Sequence, residues 1–563
     1  MQSINTKIRK VTSHPKGWII IISILLVFSA AIAAGLWYWQ THKKQIIRNE
    51  LEKAISKKSG GLYNVRYDDL ELDEVAGFLS LSNLTISYDS SRYISLENQE
   101  KAPPVLLNIH IPEITITGVK TPRALIDDEI VGRKLEIKNP VIELIYTNSG
   151  KDSLRNAPTK EIYEQILGNL DLIQMDSVII SGAQITTSSR KTGKTGIQLQ
   201  NFSLTLVDVK VDSISNADST RLFFAKELNA ACEKLAWSSA NKLYRYHADS
   251  ISIGSVNRDL YIKRFTVDPA LSEEAFVKAV PFQDDRFDFS FNNLRIGNID
   301  MQQLFKENIL ADSMVIGSAS LKIYRDLAIP RDKKNRVGLY PHQVIQKIPV
   351  SFEFKKVIVP NAFVEYKERN HITRQSGRVQ FYKVYATISN FTNNKNSIAV
   401  NNIMQADLSS MFLNKTPLKV TWLFYLRHPK GRFDVKGVAG AIDATQLNSL
   451  TVPMAPARMK EGHINGLEFD LHGNDYNMDG TVKFLYENLK VEMLEKDRDN
   501  KNLDKKSLTS FMANFMIKNS NPKKNEDIRI AQVQNDRDIN HSIFYVTWKT
   551  IFKGIRVSAG INK

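Results

Sequence analysis

The sequence predicts a mainly β protein with short helices, held to a membrane by one N-terminal transmembrane helix. Three observations support this class. One uncharged apolar segment lies near the N-terminus, stretches of alternating apolar residues fill most of the remaining chain, and 563 residues exceed one ordinary compact domain. With 42% hydrophobic and 24% charged residues, the composition excludes a wholly disordered chain and a multi-pass membrane protein.

The charge balance favours anionic partners. The chain has 76 Lys and Arg residues against 60 Asp and Glu residues, a formal net charge of +16. Such a chain attracts nucleic acid, acidic lipid headgroups or lipopolysaccharide, and charge alone does not choose among them. The single cysteine, Cys232, excludes an intrachain disulfide and the paired cysteines of zinc ribbons and redox motifs.

A membrane anchor is predicted over residues 17–39. The segment from Gly17 to Trp39 carries no charge, and a helix of that length spans about 34 Å, enough for the ~30 Å hydrocarbon core of a bilayer. Trp18 at one end and Trp37 at the other, beside Trp39, lie where amphipathic rings favour the headgroup level. A cleaved signal peptide would have a shorter apolar region that ends in small residues, so an uncleaved anchor is the better interpretation.

The orientation of this anchor depends on weaker signals. Basic residues flank it on both sides, namely Lys7, Arg9, Lys10 and Lys16 before it and Lys43, Lys44, Arg48, Lys53, Lys57 and Lys58 after it. By count, the positive-inside rule opposes a cytoplasmic N-terminus, but a long downstream domain crosses a membrane largely regardless of its charge. Residues 1–16 are therefore predicted to be a cytoplasmic tail.

A basic amphipathic helix is predicted over residues 40–58. Its apolar residues recur at helical spacing, namely Ile46, Ile47, Leu51, Ala54 and Ile55, and Gly60 and Gly61 end the pattern. A helical stalk and a helix on the membrane surface both fit this pattern.

Beyond Gly61 the apolar period changes to two, which predicts short strands in an antiparallel meander. A weak repeat, apolar-x-x-(Pro or Ala)-x-apolar, recurs among these strands. Its copies are Ile137–Pro140–Ile142, Ile180–Ala183–Ile185, Ile316–Ala319–Leu321 and Val359–Ala362–Val364. We interpret each copy as a strand, a tight corner and a second strand in a sheet that is extended by similar units, with chance similarity among hairpins as the alternative.

Short helices interrupt the strands. They are predicted at Lys160 to Leu172, Met301 to Lys306 and Leu503 to Lys518. A further segment, Ile543 to Ile555, carries apolar residues at helical spacing with lysines on another side. It either docks against the end of the sheet or contacts a partner or a membrane.

The local motifs that usually mark catalysis are missing from the sequence, which contains no G-x-S-x-G and no H-E-x-x-H. Gly193-Lys194-Thr195 imitates the end of a phosphate-binding loop, but Ser188 replaces the first glycine, so a turn is predicted.

Other polar residues are better explained by structure than by chemistry. His463 and His472 have no metal-ligand spacing, and the acidic pairs Asp68-Asp69 and Asp284-Asp285 fit turns better than the facing carboxylates of a glycosidase. A basic loop with Arg325, Arg331, Lys333, Lys334 and Arg336 lacks the interleaved aromatics of a nucleic-acid site and is predicted to face solvent or lipid headgroups. We therefore predict no catalytic residue, cofactor or metal site, and no nucleic-acid partner.

The order of features resembles the AsmA-like envelope proteins. The residues that carry this resemblance are YNVRYDDLEL from Tyr63, GFLSLSNLTI from Gly77, Ile114-x-Ile116-x-Gly118, Leu135-x-Ile137-x-Asn139-Pro140-x-Ile142-x-Leu144 and GTVKFLYENLKV from Gly480. The resemblance covers the first and last ~150 residues best, by the extent of these motifs, and the middle only by the general pattern of its strands. The resemblance implies β regions over residues 59–390 and 391–563, the second with terminal helices.

The resemblance further implies an elongated, curled antiparallel sheet that forms an open apolar groove in the periplasm of a Gram-negative cell, beyond an inner-membrane anchor. Such proteins are associated with phospholipid transfer for outer-membrane assembly, with membrane phospholipids, the inner membrane and outer-membrane or envelope proteins as partners. Candidate groove-lining residues are those at the repeated corner, Ile137, Ile142, Leu144, Ile316, Leu321 and Ile323. The alternatives are a non-catalytic scaffold or assembly factor with a closed β core and a glycan-active envelope enzyme.

Overall fold

A computed structural model of the chain describes residues 59, 61–73, 75–120, 129–147, 172–371, 374–454, 457–496, 503–505 and 518–560. Strands account for 59% of the structure and helices for 14%, which confirms the predicted mainly β fold with short helices. The predicted anchor over residues 17–39, with Gly17, Trp18, Trp37 and Trp39, and the predicted helix over residues 40–58 lie outside the described residues. Within the described part of the chain, no helix combines the length and apolar character that a membrane crossing requires.

The described residues form two compact units. Unit 1 contains residues 59–240, 246–264 and 297–308, and unit 2 contains residues 241–245, 265–296 and 309–560. The predicted boundary at residues 390 and 391 lies inside a strand of unit 2, Ser376–Thr392.

Unit 1 is built around nine consecutive strands of the described chain. They are β1 (Tyr63–Arg66), β2 (Asp69–Asp73), β3 (Phe78–Tyr88), β4 (Val105–Thr117), β5 (Glu129–Lys138), β6 (Val141–Tyr146), β7 (Leu172–Ser189), β8 (Thr195–Val211) and β9 (Ala225–Ser238). Helices α1 (Ser90–Asn98) and α2 (Ser213–Ala217) follow β3 and β8. Asp89 and Asp212 cap the N-termini of these helices through their carboxylates, so polar residues between strands here serve as helix caps.

The strand pairing in unit 1 departs from the predicted antiparallel meander at one place. Strands β1 and β2 each pair with β3, β3 pairs with β4, and β7 to β9 pair in sequence, all antiparallel. Strands β5 and β6 pair antiparallel with successive halves of β4, but both pair parallel with β7. Parallel neighbours need a long crossover connection, and the 25 or so residues between β6 and β7 provide that length.

The repeated corner predicted from the sequence corresponds in unit 1 to irregular backbone positions that lie side by side on neighbouring strands. Asn83, Asn139, Gly182 and Asn201 have positive φ, between +51° and +68°. The pairs next to them run from strand to strand as Ser82–Glu113, Glu113–Lys138 and Lys138–Ser181. We call these four residues the bend line. Since bulges of this kind bend a strand and increase its twist, the sheet bends here, and apolar residues three positions apart, such as Ile180 and Ala183, both stay on the core side.

Strands with residues in both units are β10 (Tyr244–Gly254), β11 (Asp259–Pro269), β12 (Arg286–Ile299) and the strand that follows them, of which only Asn308 belongs to unit 1. Unit 2 continues with β13 (Asn308–Asp326), β14 (Ser351–Arg369), β15 (Ser376–Thr392), β16 (Ile403–Phe412), β17 (Thr416–Tyr425), β18 (Phe433–Ala439), β19 (Ile442–Asp443), β20 (Ala457–Gly473), β21 (Asn477–Lys496), β22 (Leu503–Lys505) and β23 (Ile530–Asp536). Strands β14 to β18 pair antiparallel in order, and the sheet continues through β20 and β21 to β23.

The described helices after α2 are short except for the last. They are α3 (Glu273–Ala279), α4 (Met301–Phe305), α5 (Pro341–Ile345), α6 (Lys395–Val400), a 3₁₀ turn (Ala444–Leu447), α7 (Asn448–Met454) and α8 (Ile543–Ser558). Helices α4 and α8 confirm two predicted helices. The predicted helix from Leu503 begins instead with strand β22, which pairs with β21, and residues 506–517 lie outside the described residues. Of the predicted helix at Lys160 to Leu172, only Leu172 is described, and it begins β7.

Helix α8 packs closely on β21 and β23. Ser542 caps its N-terminus, and its buried side includes Val546, Thr550 and Ile551. Gly554 lies directly against Val482 of β21, where a Cβ atom would clash with the valine side chain. The absence of a side chain at Gly554 therefore sets how closely the helix approaches the sheet.

We expect Gly554→Leu to lower the free energy of unfolding by about 1–3 kcal/mol, because the added side chain forces α8 away from β21. Urea unfolding followed by circular dichroism measures this change. Val557→Leu, which adds a methylene at an exposed position of the same helix, is the matched control and is expected to change stability by less than about 0.5 kcal/mol. Equal stability of the two variants would show that α8 does not depend on this close approach.

Candidate functional site

The interior of unit 1 is an apolar face made of cross-strand rows. One row lies on each side of the bend line, Val65–Ile86–Ile109–Ile142–Ile185–Leu199–Leu235 and Leu70–Leu81–Ile114–Ile137–Ile180–Leu204–Ala230. Such rows arise because directly paired residues point to the same side of a sheet. The period of two in the sequence therefore continues from strand to strand as one apolar surface.

Three predicted lining residues lie in this interior. Ile137 and Ile142 belong to the two rows, and Leu144 pairs with Leu107 in the same cluster. Ile137, Ile142 and Leu144 are 2%, 1% and 4% exposed, respectively. The structure thus brings these three side chains together but shields them from water, so an acyl chain would reach them only by displacing protein contacts.

The other three predicted lining residues lie on β13 of unit 2 and are half-buried. Ile316 packs against Ala319, Ala362 and Val384, the last two on β14 and β15. Leu321 and Ile323 follow on the same strand. Their partial exposure makes them more accessible than the three residues in unit 1.

Unit 2 has an apolar face that crosses eight strands, from β14 to β23. Two adjacent rows form it, Val359–Ala386–Leu408–Val420–Gly437–Phe469–Val482–Ala531 and Val357–Ile388–Ala406–Trp422–Val435–Leu471–Gly480–Val533. We call these residues the apolar face of unit 2. Leu408 also contacts the cluster that contains Ile316 and Phe291, so apolar contact continues from this face to β13 and β12.

The burial of the apolar face of unit 2 changes along its length. Under α8, Leu471 and Val482 are fully buried. On β16 and β17, Leu408, Val420 and Trp422 are only half-buried. Helix α8 therefore covers one end of the face, and the part on β15 to β17 keeps apolar area that a ligand could cover.

The opposite side of the same strands is polar. Its rows are Tyr385–Ser409–Lys419–Val438 and Thr387–Asp407–Thr421–Lys436, and they line a shallow depression of about 370 Å³. Asp407 accepts a hydrogen bond from Thr421, and Lys436 pairs with Asp470 at 2.9 Å. The two sides of this sheet thus differ sharply in polarity.

A buried ion pair fixes one end of unit 2. Arg537 Nη1 lies 2.7 Å from Asp475 Oδ1, and the two side chains are 1% and 3% exposed. Asp475 also accepts hydrogen bonds from the Gly338 amide and from Gln343 Nε2, and the Arg537 guanidinium lies 4.0 Å from the ring centroid of Tyr340. We call these five residues the ion-pair cluster. Sequence analysis did not find it, because Asp475 stands in a polar turn sequence and its partner is 62 positions away.

Two histidines near this cluster, His342 and His541, are buried, and His541 Nδ1 lies 2.9 Å from Asp538 Oδ2. Burial lowers the pKa of His342 to about 4, with Asp475 acting in the opposite direction. Burial also lowers the pKa of His541 to about 4, assisted by the charge of Arg331. The His342 ring lies 5.0 Å from that of Phe424, and the His541 ring stacks on Tyr545 at 3.6 Å. Both imidazoles are therefore neutral in the folded protein at pH 7.

Several residues that were considered above as catalytic or ligand-binding candidates have structural partners. Arg325 forms two hydrogen bonds of 2.8 and 2.7 Å to Asp285, and the Asp284 carboxylate accepts one from the Asp285 amide. His472 Nδ1 lies 2.9 Å from Asp434. Gly193 closes the hairpin between β7 and β8 with a φ of +61°, so the predicted turn is confirmed. Among the described residues, no group of three or more His, Cys, Asp or Glu is placed to hold a metal.

Comparison with known proteins identifies no relative. No family model matches the sequence, and no curated protein matches it significantly.

Proposed function

We propose that this chain is an inner-membrane-anchored periplasmic protein that binds phospholipid and transfers it for outer-membrane assembly and lipid homeostasis, without catalysis. The observation that carries the proposal is the half-buried part of the apolar face of unit 2, on β15 to β17. It offers acyl chains an apolar surface beside a polar outer side. The resemblance to AsmA-like proteins supports the same function.

The energy of binding comes from the acyl chains. Each methylene removed from water stabilises the complex by ~0.8 kcal/mol, so even a partly covered chain gains several kcal/mol. The apolar rows hold no charged residue that could select a headgroup. The lipid is therefore held by its chains, and the headgroup stays in water.

We expect Val420→Asp to reduce the amount of bound phospholipid roughly tenfold, because a carboxylate on the apolar face costs at least ~1.4 kcal/mol on desolvation. Ser409→Asp is the matched control, since Ser409 follows Leu408 on the polar side of the sheet and pairs with Lys419. Native mass spectrometry and lipid extraction of the purified full chain measure the bound lipid.

Folding is checked by circular dichroism, and Leu408→Asn provides a milder change on the same row. If both apolar-face variants fold and keep as much phospholipid as Ser409→Asp, the proposed binding face is wrong.

A closed scaffold is the second candidate function, favoured by the interior of unit 1. The buried members of its apolar cluster are at most 8% exposed, as expected for a structural core. A folded full chain that is purified without lipid, and that does not move fluorescent phospholipid between vesicles, would support the scaffold instead.

A further inference from the structure

The outer side of helix α8 exposes large aromatic side chains. Phe544, Trp548 and Phe552 recur every four residues and are 66%, 54% and 46% exposed. Tyr545 is 38% exposed beside them. The opposite side of the helix is buried on β21 and β23. Phe544 also lies edge-on to Trp422 of β17, with the ring centroids 6.1 Å apart, whereas Trp548 and Phe552 stack on each other at 6.0 Å. We call these exposed rings the aromatic stripe.

Positive charge accompanies the aromatic stripe. Lys549 and Lys553 are exposed between its rings, and Lys549 Nζ lies 5.9 Å from the Tyr545 ring centroid. The sequence of α8, IFYVTWKTIFKGIRVS, contains no acidic residue. Neither lysine therefore meets a competing carboxylate on its own helix. Lys553 Nζ donates a hydrogen bond to the Gln534 carbonyl oxygen of β23 at 2.6 Å and keeps two further N–H donors for an anionic group.

Helical segments that lie in the interface of a bilayer typically carry Trp, Phe and Lys on one side. The rings enter the boundary between headgroups and acyl chains, and the ammonium groups stay at the level of the phosphates. A protein partner of matching chemistry would need a surface that is both acidic and apolar, whereas a bilayer with anionic lipids supplies phosphates and acyl chains over its whole area.

We propose that the exposed side of α8 binds the surface of a membrane that contains anionic phospholipid. The aromatic stripe inserts, and Lys549 and Lys553 contact the lipid phosphates. Of the residues in this contact, Phe544 also touches the lipid-binding face on β15 to β17, through Trp422. The charge-reversal variant Lys549→Glu/Lys553→Glu leaves Phe544 in place and therefore tests the membrane contact separately from that face. The membrane contact would hold the C-terminal end of unit 2 at a bilayer.

A tethering experiment with the full chain tests the proposal. The protein is held in phosphatidylcholine nanodiscs, which contain any N-terminal anchor, and is mixed with sucrose-loaded vesicles of phosphatidylethanolamine and phosphatidylglycerol. Co-sedimentation with the vesicles measures binding. We expect Phe544→Ser/Trp548→Ser/Phe552→Ser to reduce the partition coefficient at least tenfold, and Lys549→Glu/Lys553→Glu to do so on phosphatidylglycerol vesicles, since the screened charge term is lost.

The matched control is Val400→Ser, which removes an apolar side chain that is 92% exposed on α6. It is expected to bind as the wild type does. The charge-reversal variant keeps all aromatic residues, so it tests the proposal even if the triple variant folds poorly.

Three results would overturn the proposal. One is unchanged sedimentation of both α8 variants. The second is loss of a dimer in the triple variant by light scattering without vesicles, which would assign the stripe to a second copy of the chain. The third is unchanged vesicle binding together with faster proteolysis within residues 506–517, which would show that this segment covers the stripe. The lipid content of Val420→Asp is a separate measurement. Failure of the membrane contact can therefore be distinguished from failure of the proposed function.

Discussion

Asp475→Ala is expected to lower the free energy of unfolding of unit 2 by about 3–5 kcal/mol, the usual cost of removing one partner of a buried ion pair. The variant leaves the Arg537 guanidinium buried without its counter-charge. It also removes the acceptor for the Gly338 amide and for Gln343 Nε2. The loop before α5, the turn between β20 and β21, and the segment before α8 all lose their common contact. Urea unfolding followed by circular dichroism measures the change.

The matched control for Asp475→Ala is Glu461→Ala. Its pair with Lys490 has the similar distance of 2.8 Å, but the side chains are 60% and 64% exposed. Such a surface pair contributes at most about 1 kcal/mol. Asp475→Leu/Arg537→Met should recover part of the loss, because no unpaired charge remains. If Asp475→Ala and Glu461→Ala have similar stabilities, the ion-pair cluster does not hold this end of the unit together.

Stability should fall as the pH decreases from about 6.5 to about 4, with His342 and His541 as the cause. The pKa of each imidazole is about 4 in the folded chain, against an ordinary value of 6.5. Between these values the unfolded chain binds a proton on each ring and the folded chain does not, so acid favours unfolding. Stability from this source is complete above pH 6.5. At 1.36 kcal/mol per pH unit, each histidine loses up to about 3 kcal/mol across the window.

Denaturant unfolding at pH 7, 5.5 and 4.5 measures this dependence. His342→Asn and His541→Asn should each flatten the profile, and the double variant should remove most of the slope. The carboxylates with lowered pKa values, such as Asp434 and Asp538, lose their contribution below pH 3.8 and do not act within this window. A wild-type profile that is flat from pH 7 to 4.5 would contradict the prediction.

The strands and their apolar side could be predicted because they depend on local pattern. The spacing of Leu79, Leu81, Leu84 and Ile86 shows both the period of two and the phase change at Asn83, where β3 has its positive φ. The repeated corner was visible for the same reason, since each bulge shifts the phase of one strand.

Other features depend on contacts between distant positions. The parallel pairing of β7 needs the crossover after β6, and nothing in the sequence of β7 indicates its direction. Ile142 is buried and Ile316 is only partly buried. This difference depends on what packs over each strand and not on the type of residue, which is the same. Arg537 and Asp475 meet because β21 and β23 are neighbours, a pairing that spans some sixty residues. The accessibility of a predicted lining residue therefore required the structure.

The parallel pairing in unit 1 has a kinetic consequence. The hairpin β7–β8 closes a short loop and can form within microseconds. The pairing of β7 with β5 and β6 closes a longer loop and has no turn to guide it, and such non-local contacts form slowly. During synthesis the strands from β1 to β6 emerge first, and the edge formed by β5 and β6 stays unpaired until β7 arrives. That edge is rich in Ile and Leu, which makes it the place where a chaperone would protect the nascent chain from aggregation.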